Sequence, residues 1–237
     1  MSDLPAHTLT SFDDDLAKLR GLIVRMGRLC EAQVVAAVDA LARHDADAAL
    51  RVVAADAEID ALDAETERFA ILTIALRAPM ASDLREIVAA LKTSAILERI
   101  GDYAKNIAKR TTVLAQGGPI EPMVLVPEMA RMVAQMVASA IDAFVARDAV
   151  LAVAVTERDQ LVDDFYTTLF RSLLTFMMEN PQRITMSTHL LFIAKNLERV
   201  GDHATNIAEL VAYSATGERL GERTKRDDTA SVIEPRR

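Results

Sequence analysis

Carboxylate side chains recur in this sequence at a spacing that could hold a metal ion. Two twelve-residue segments, LERIGDYAKNIA and LERVGDHATNIA, each contain a glutamate and, four positions later, an aspartate: Glu98 and Asp102 in the first, Glu198 and Asp202 in the second. Four residues span slightly more than one helical turn, so both acids of a pair would lie on one face of a helix. Carboxylate oxygens are the ligands that hard and borderline divalent ions prefer.

Two further acidic pairs precede these segments along the chain. Asp56 and Asp60 lie upstream of the first segment, and Asp159 and Asp163 lie upstream of the second. The first stripe continues with two more acids and the second with two aromatic residues: Asp63 and Glu67 against Tyr166 and Phe170. Carboxylates one turn apart repel each other, so such a stripe lowers stability unless a cation binds it. We interpret the stripes as a metal-binding surface, and ordinary solvated helix faces are the alternative.

The acidic segments belong to an internal repeat. Nine of the twelve positions are identical, and the second segment follows the first at an offset of 100 residues. The upstream pairs repeat at an offset of 103. Each segment also places a glycine, Gly101 or Gly201, in the middle of a helix, where it weakens the helix and permits a close neighbour. The sequence therefore predicts an internal duplication.

Long helices must position these acids. Apolar residues make up 51% of the 237 residues and aromatic residues only 4%, a composition that favours helices around a proper core. Turn-forming residues divide the chain into six predicted helices, over residues 11–43, 45 or 47 to 77, 83–115, 127–146, 148–180 and 184–214. Short connections between long helices are typical of antiparallel bundles. The predicted fold is all-α, with two tandem antiparallel three-helix bundles.

Local signals mark the ends of these helices and of the two units. Side chains that can cap helix N-termini stand at four predicted starts: Ser11, Asp45 or Asp47, Ser82 and Asp148. Pro127 suits the first position of the fourth helix. Gly and Pro are concentrated in 116–126, which is the predicted linker between unit 7–116 and unit 127–214. We expect the charged, aperiodic tail 215–237 to be disordered.

The charge and composition of the chain argue against some classes of binding protein and indicate its cellular compartment. The formal net charge of −8 argues against a general nucleic-acid binder, and no Lys/Arg-rich membrane-surface helix is evident. The single cysteine, Cys30, suits a reducing compartment. The first twelve residues show no apolar signal segment, and no apolar run approaches the roughly 20 residues that span a bilayer. We expect a cytoplasmic protein that does not insert into a membrane.

Recognisable catalytic motifs are missing from the sequence. It contains no glycine-rich phosphate loop, no GxSxG motif and no paired Cys/His signature. Di-iron helical bundles need Glu-x-x-His on two helices, and this pattern does not occur. A non-catalytic adaptor is therefore the favoured hypothesis. A metal-dependent hydrolase or phosphate-handling enzyme that uses the acidic surface is the alternative.

The segments described above resemble signatures of the PhoU family. The similar stretches are FDDDLAKL at 12–19, RMGRL at 25–29, APMASDLR at 78–85, LERIGDYAKNIAKR at 97–110 and NLERVGDHATNIAE at 196–209. The resemblance covers roughly residues 7–214, and the doubled motif makes it specific. Members of this family consist of two repeated three-helix units.

The resemblance implies a function and a set of partners. It implies a cytoplasmic negative regulator of the phosphate-starvation response, which acts with the ATPase subunit of a phosphate ABC importer and with a membrane sensor histidine kinase. It further implies a homodimer and divalent or iron-type metal ions on the acidic faces. The ligands that the resemblance suggests are Asp56, Asp60, Glu98, Asp102, Asp159, Asp163, Glu198 and Asp202.

Overall fold

Six long helices make up most of the part of the chain that the structure describes. The computed structural model describes residues 6–118 and 120–220, and it describes side chains from residue 12 onward. The helices are α1 (Ala6–Ala42), α2 (Ala46–Arg77), α3 (Ala81–Leu114), α4 (Val126–Ala146), α5 (Ala149–Glu179) and α6 (Ile184–Thr216). Short 3-10 helices, Glu121–Leu125 and Pro181–Arg183, precede α4 and α6. The prediction of an all-α fold is confirmed.

Two of the predicted helix caps are correct. The Asp45 carboxylate accepts a hydrogen bond from the amide of Ala48 at 2.8 Å, at the start of α2. The Asp148 carboxylate accepts hydrogen bonds from the amides of Val150 and Leu151, at the start of α5. In each case the aspartate satisfies backbone donors that have no partner within the helix, which fixes the position of the first turn.

The other two predicted caps are wrong. The chain is already helical at Ala6, so Ser11 lies inside α1 rather than at its start. The N-cap of α3 is Met80, and Ser82 lies within the first turn, where its hydroxyl contacts the Asp83 carboxylate at 3.4 Å. Both serines resemble caps in sequence, but α1 begins five residues before Ser11 and α3 begins one residue before Ser82.

The last helix extends two residues into the segment that was predicted as a tail. Helix α6 continues to Thr216, and Gly217 then adopts a left-handed conformation with φ of 81° that ends it. Residues 215 and 216 therefore belong to the last helix. The rest of the predicted tail, 221–237, lies outside the described residues.

The helices are arranged as two three-helix units that pack on each other through equivalent elements. Helix α2 packs mainly against α1 and α3, and α5 packs mainly against α4 and α6. Between the units, α1 contacts α4 and α3 contacts α6. Since each of these contacts joins two helices that occupy the same place in their own unit, the units are related by an approximate twofold axis. The predicted pair of tandem three-helix bundles is confirmed.

A ring contact marks the position of this axis. Tyr103 and His203, which are equivalent at the offset of 100, stack with ring centroids 5.3 Å apart and an interplanar angle of 19°. The Tyr103 hydroxyl lies 3.1 Å from Nε2 of His203. Asn206 Nδ2 lies 3.3 Å from the other ring nitrogen, Nδ1. The twofold axis thus passes between α3 and α6 close to the two acidic segments.

A buried ion pair also joins the two units. Glu86 of α3 is buried, and the Arg20 Nε of α1 donates to its Oε1 at 2.6 Å. The Nη1 of Arg147, which follows α4, lies 3.0 Å from the other oxygen, Oε2, without the alignment of a hydrogen bond. Because either arginine alone still faces the Glu86 carboxylate, only the loss of both would leave this buried acid without a counter-charge.

Helix α4 corrects one expectation from the sequence. By length and composition, Glu121–Ala146 could cross a membrane, although no apolar run of that length was expected. Half of the most apolar window of this segment is buried inside the protein, and α4 contacts α1, α5 and α6. These contacts account for its apolar side, since a helix that packs on its neighbours buries an apolar face.

Candidate functional site

The four acids of the first repeat come together where α2 packs against α3. We call this group the first cluster: Asp56, Asp60, Glu98 and Asp102. Asp56 is only 2% exposed and lies over the backbone of Gly101. A Cβ atom at Gly101 would stand 3.1 Å from Asp56 Oδ1 and 2.9 Å from the Cδ1 of Ile59. The glycine therefore makes room for a carboxylate between the two helices.

A lysine neutralises the buried acid of the first cluster. Lys105 Nζ donates a hydrogen bond to Asp56 Oδ2 at 2.5 Å and lies 3.6 Å from Asp102 Oδ1. The pKa of Lys105 is raised, mainly by the hydrogen bond to Asp56, and the charges of Asp56, Asp102 and Asp60 add to the effect. The Lys105 ammonium group thus supplies positive charge to a site whose other members are carboxylates.

The outer part of the first cluster carries uncompensated negative charge. The pKa of Glu98 is raised, first by burial and then by the negative charge of Asp102, and Arg99 offsets part of this. Arg99 Nε lies 3.6 Å from the Glu98 carboxylate. Both side chains are partly exposed, so this ion pair contributes little stability.

The second cluster lies at the equivalent place between α5 and α6, and its members are Asp159, Asp163, Glu198 and Asp202. Asp159 is 6% exposed, and its Oδ1 would lie 3.4 Å from a Cβ atom at Gly201. The pKa of Asp163 is raised to about 6, first by burial and then by the charges of Asp159, Glu198 and Asp202. The negative charges around Asp163 therefore outweigh the effect of the nearby Lys195.

A different lysine serves the second cluster. Lys195 Nζ donates to Glu198 Oε1 at 2.7 Å and also stands 5.2 Å from the centre of the Tyr166 ring. The other oxygen of this carboxylate, Glu198 Oε2, is buried without a hydrogen-bond partner. Burial raises the pKa of Glu198, and Lys195 offsets only part of that effect. Thr205 occupies the position equivalent to Lys105, and its hydroxyl is buried without a hydrogen-bond partner.

The acids of the two clusters differ in burial. Asp56 and Asp159 are buried at helix–helix contacts, whereas Glu98, Asp102, Glu198 and Asp202 are partly exposed. For Asp56 a sequence signal was present in the mid-helix Gly101, where an added Cβ would stand 3.1 Å from Asp56 Oδ1. At Gly201 an added Cβ would meet Asp159 Oδ1 at 3.4 Å, which is ordinary van der Waals contact. Asp63 is partly exposed and Glu67 exposed, so the outer end of the α2 stripe is a solvated face.

Sequence reasoning did not assign roles to Lys105, Lys195 or Thr205. The first and last could have been found, since the two twelve-residue segments differ at only three positions and 105/205 is one of them. Lys195 was harder to find because it lies outside the repeated segment and its equivalent position holds Ala95.

The donor set of the clusters fits a metal ion in type and charge. Carboxylate oxygens suit hard divalent ions, and the buried, unpartnered Oε2 of Glu198 has no protein donor to satisfy it. Within residues 6–118 and 120–220, however, no three Asp, Glu, His or Cys side chains stand close enough together to hold one ion. Binding would therefore require the partly exposed carboxylates to turn toward one another.

One protein-family model matches both three-helix units. The model of the PhoU domain matches residues 23–111 and again 126–211. The chain is 51% identical over 222 residues to the phosphate-specific transport system accessory protein PhoU homolog of Zymomonas mobilis, covering 94% of each chain. It is 46% identical to the protein of the same description from Caulobacter vibrioides, covering 95% of this chain and 98% of that one.

Solved structures agree with these sequence matches. The crystal structure of PhoU from Pseudomonas aeruginosa superposes with a TM-score of 0.84 at 39% identity, and it covers 87% of this chain and all of that chain. The phosphate transport system regulatory protein PhoU from Streptococcus pneumoniae superposes with a TM-score of 0.83 at 28% identity, over 89% of this chain and all of that chain. Matched along both repeats and in three dimensions, the chain belongs to the PhoU family.

Proposed function

We propose that the protein is a non-catalytic cytoplasmic regulator that holds down phosphate uptake and the phosphate-starvation response when phosphate is plentiful. The observation that carries this proposal is the 51% identity, over nearly the whole of both chains, to a protein described as a phosphate-specific transport system accessory protein. The Streptococcus structure, described as a phosphate transport system regulatory protein, supports the same role. The proposed partners are the ATPase subunit of a phosphate ABC importer and a sensor histidine kinase.

The chemistry of the described residues supports a role without turnover. Cys30, the only cysteine, is buried, its thiol donates to the carbonyl of Leu97 at 3.1 Å, and burial raises its pKa far above the usual range. A thiol that stays protonated is a poor nucleophile. His203 stacks on Tyr103 and contacts Asn206 through its other nitrogen, so both ring nitrogens have partners.

A regulator of this kind acts by stabilising one state of its partner. Its effect is limited by the difference between its affinities for the two states. The exposed arginines Arg99 and Arg199 flank the α3–α6 contact on the twofold axis, and the Arg199 guanidinium lies 5.9 Å from the Tyr103 ring centre. Exposed arginines beside aromatic rings are frequent anchors of protein interfaces. We therefore assign partner contacts to this surface.

Deletion of the gene tests the regulatory role. A starvation reporter should stay active in rich phosphate in the deletion strain, and the wild-type gene should restore repression. Arg99→Glu and Arg199→Glu should also relieve repression while the protein stays folded, as judged by circular dichroism. Arg51→Glu, at an exposed position on α2, is the matched control and should leave repression intact. A reporter that stays fully repressed in the deletion strain would overturn the proposal.

We further propose that the acidic faces bind divalent or iron-type metal ions through the residues of the two clusters. A bound ion would supply positive charge that offsets the repulsion among the carboxylates. Replacing the partly exposed acids in the double variants Glu98→Ala/Asp102→Ala and Glu198→Ala/Asp202→Ala should lower bound metal without loss of helicity. Metal content measured by mass spectrometry tests this, and unchanged content in both variants would refute it.

We also propose that the chain is a homodimer, which analytical ultracentrifugation tests.

A further inference from the structure

Arginines and aromatic rings line the solvent side of the contact between α3 and α6. We call this surface the basic ridge, and its six residues are Arg99, Tyr103 and Arg110 of α3 and Phe192, Arg199 and His203 of α6. They recur within each helix at intervals of four and seven residues, so those of one helix share a face. The Arg110 guanidinium lies 4.3 Å from the centre of the Phe192 ring, which is still 50% exposed. The ridge thus presents positive charge and accessible ring surface side by side.

The chain leaves α6 at one end of the same pair of helices. Gly217 ends the helix in a left-handed conformation, and the Nε of Arg85, near the start of α3, donates to the carbonyl oxygen of Ser214 at 3.5 Å. Leu220, the last residue that the structure describes, packs against the hydrophobic core. A chain that continued along the axis of α6 would leave the bundle, so this contact shows that the chain turns back onto the protein.

The segment that follows is long enough to cover the basic ridge. Residues 221–237 follow Leu220, and an extended chain of that length spans up to about 58 Å. Phe192, the ridge residue farthest from the end of α6, lies about 36 Å from that end, since a helix rises ~1.5 Å per residue. The exposed side chains of Asn206 and Tyr213 lie on the path between the end of the helix and the ridge.

The middle of this segment matches the basic ridge in chemistry. Residues 227–234, DDTASVIE, contain three acids, the apolar pair Val232 and Ile233, and neither lysine nor arginine. The basic residues of the segment stand before and after this stretch, so its negative charge is concentrated in one block. Carboxylates form strong paired hydrogen bonds with guanidinium groups, and apolar side chains bury surface on exposed aromatic rings.

The spacing of these groups follows the spacing of the ridge. Arg199 lies about 26 Å before the end of α6. The acids at 227–228 reach up to about 27 Å from Leu220 in an extended chain. Phe192 lies about 10 Å beyond Arg199 along the helix, within reach of the apolar pair at 232–233. An extended segment that runs back along the ridge therefore places its acids on the arginines and its apolar pair on the exposed ring.

We propose that residues 227–234 of this chain dock in extended form on the basic ridge. The segment is tethered to the end of α6, which gives it an effective concentration on the order of millimolar at the ridge, so individually weak contacts suffice. The docked segment covers Arg99 and Arg199, and a partner that binds this surface must displace it. That competition rests on the proposed function, which assigns partner contacts to these arginines, whereas the docking itself does not.

A spin label on the segment of the full-length chain tests the docking. Thr229→Cys takes the label selectively, because Cys30, the only native cysteine, is buried. In the ¹⁵N-labelled protein, amide signals around Arg99 and Arg199 should lose intensity, and those around Val35 on the solvent side of α1 should keep it. Unchanged intensity along the ridge would overturn the proposal. So would an equal loss in a mixture of spin-labelled chains and separate ¹⁵N-labelled chains, because the contact would then join two copies.

Charge reversal tests the pairing between the segment and the ridge. Asp227→Arg/Asp228→Arg should abolish the loss of intensity, and Glu222→Arg, which reverses an acid of the segment outside 227–234, is the control and should retain it. Adding Arg99→Asp/Arg199→Asp to the reversed segment should restore the loss, because the charges are then exchanged. A loss that persists in Asp227→Arg/Asp228→Arg would overturn the proposal, as would a failure to restore it in a chain of unchanged circular dichroism.

The starvation reporter tests the competition separately. With Asp227→Arg/Asp228→Arg the ridge is uncovered, so the reporter should be less active than in the wild type when phosphate is limiting. An unchanged reporter in a variant that has lost docking would overturn the competition. A reporter that stays fully repressed in the deletion strain overturns the proposed function alone, since the spin-label measurement does not depend on any partner.

Discussion

The first and second clusters occupy equivalent places in two copies of one unit, yet they handle negative charge differently. In both, a buried aspartate lies against a mid-helix glycine, Asp56 over Gly101 and Asp159 over Gly201. In the first, the buried acid is paired with an ammonium group at 2.5 Å. In the second, the pKa of Asp163 is raised to about 6, first by burial and then by the charges of Asp159, Glu198 and Asp202. Duplication preserved the backbone geometry of the site and allowed its charge balance to change.

The largest expected effect is the loss of the lysine in the first cluster. In metal-free Lys105→Met the Asp56 carboxylate, whose side chain is 3% exposed, loses its counter-charge. We expect the free energy of unfolding to fall by about 3 kcal/mol, the usual cost of breaking a buried ion pair from one side. Arg25→Met is the control and should cost no more than about 1 kcal/mol, because both partners of the Arg25–Glu58 pair are exposed to water. Urea denaturation followed by circular dichroism, with EDTA present, measures both losses, and equal losses would contradict a stabilising role of the buried pair.

The two glycines should respond to alanine with opposite signs. At Gly101 the added Cβ would stand 2.9 Å from Ile59 Cδ1, and both Ile59 and the nearby Asp56 are buried and held in place. We expect Gly101→Ala to lower the free energy of unfolding by about 1–2 kcal/mol, as overpacking does.

At Gly201 the nearest atoms would be 3.4 Å away, which is ordinary van der Waals contact. Gly201→Ala should therefore raise the free energy of unfolding by up to about 1 kcal/mol through helix propensity. Thermal unfolding of the two variants in parallel gives the sign of each change in stability. If both substitutions change stability in the same direction, the two glycines are not packed differently against their aspartates.

Asp163 gives a smaller, pH-dependent effect. Its pKa in the folded protein, about 6, lies above the ordinary value of 3.8. The folded state therefore binds more protons than the unfolded state between these values, and this residue makes stability fall as pH rises through that window. At pH 8, Asp163→Asn should be more stable than the wild type by on the order of 1 kcal/mol, after allowance for solvent screening.

Urea unfolding at pH 8 and near pH 4 tests this expectation, because the gain should shrink at the lower pH. Asp164→Asn is the control, since this neighbouring, exposed carboxylate accepts a hydrogen bond from Gln160 at 3.1 Å. An equal gain for Asp163→Asn at both pH values would show that the pKa of Asp163 is not raised in the folded protein.

Local rules applied to the sequence predicted the fold and the general position of the acids. The nine identities between the segments predicted the duplication, and Asp45 and Asp148 marked two helix starts correctly. Ser11 and Ser82 misled because a serine within a helix and a serine at its start look alike in a single sequence. The folded structure is needed to show that α1 begins at Ala6 and α3 at Ala81.

Which charges pair in the site depends on how neighbouring helices are aligned with each other. The spacing of residues along a single helix does not predict this alignment. Asp56 and Lys105 are separated by 49 residues, and their pairing follows from how α2 lies on α3. The burial of Glu86 between Arg20 and Arg147 likewise joins three different segments. Side-chain types could be read from the sequence, but which charges neutralise each other could not.

The most direct test of the two clusters as metal-binding sites is a Mn²⁺ titration of the ¹⁵N-labelled protein followed by NMR. Bound Mn²⁺ broadens nearby amide signals, so the signals that disappear first identify the site. We expect the amides around Asp60 and Asp102 and those around Asp163 and Asp202 to broaden before the amides elsewhere in the protein. Uniform broadening along the chain, or broadening that begins away from both clusters, would contradict the proposed metal binding.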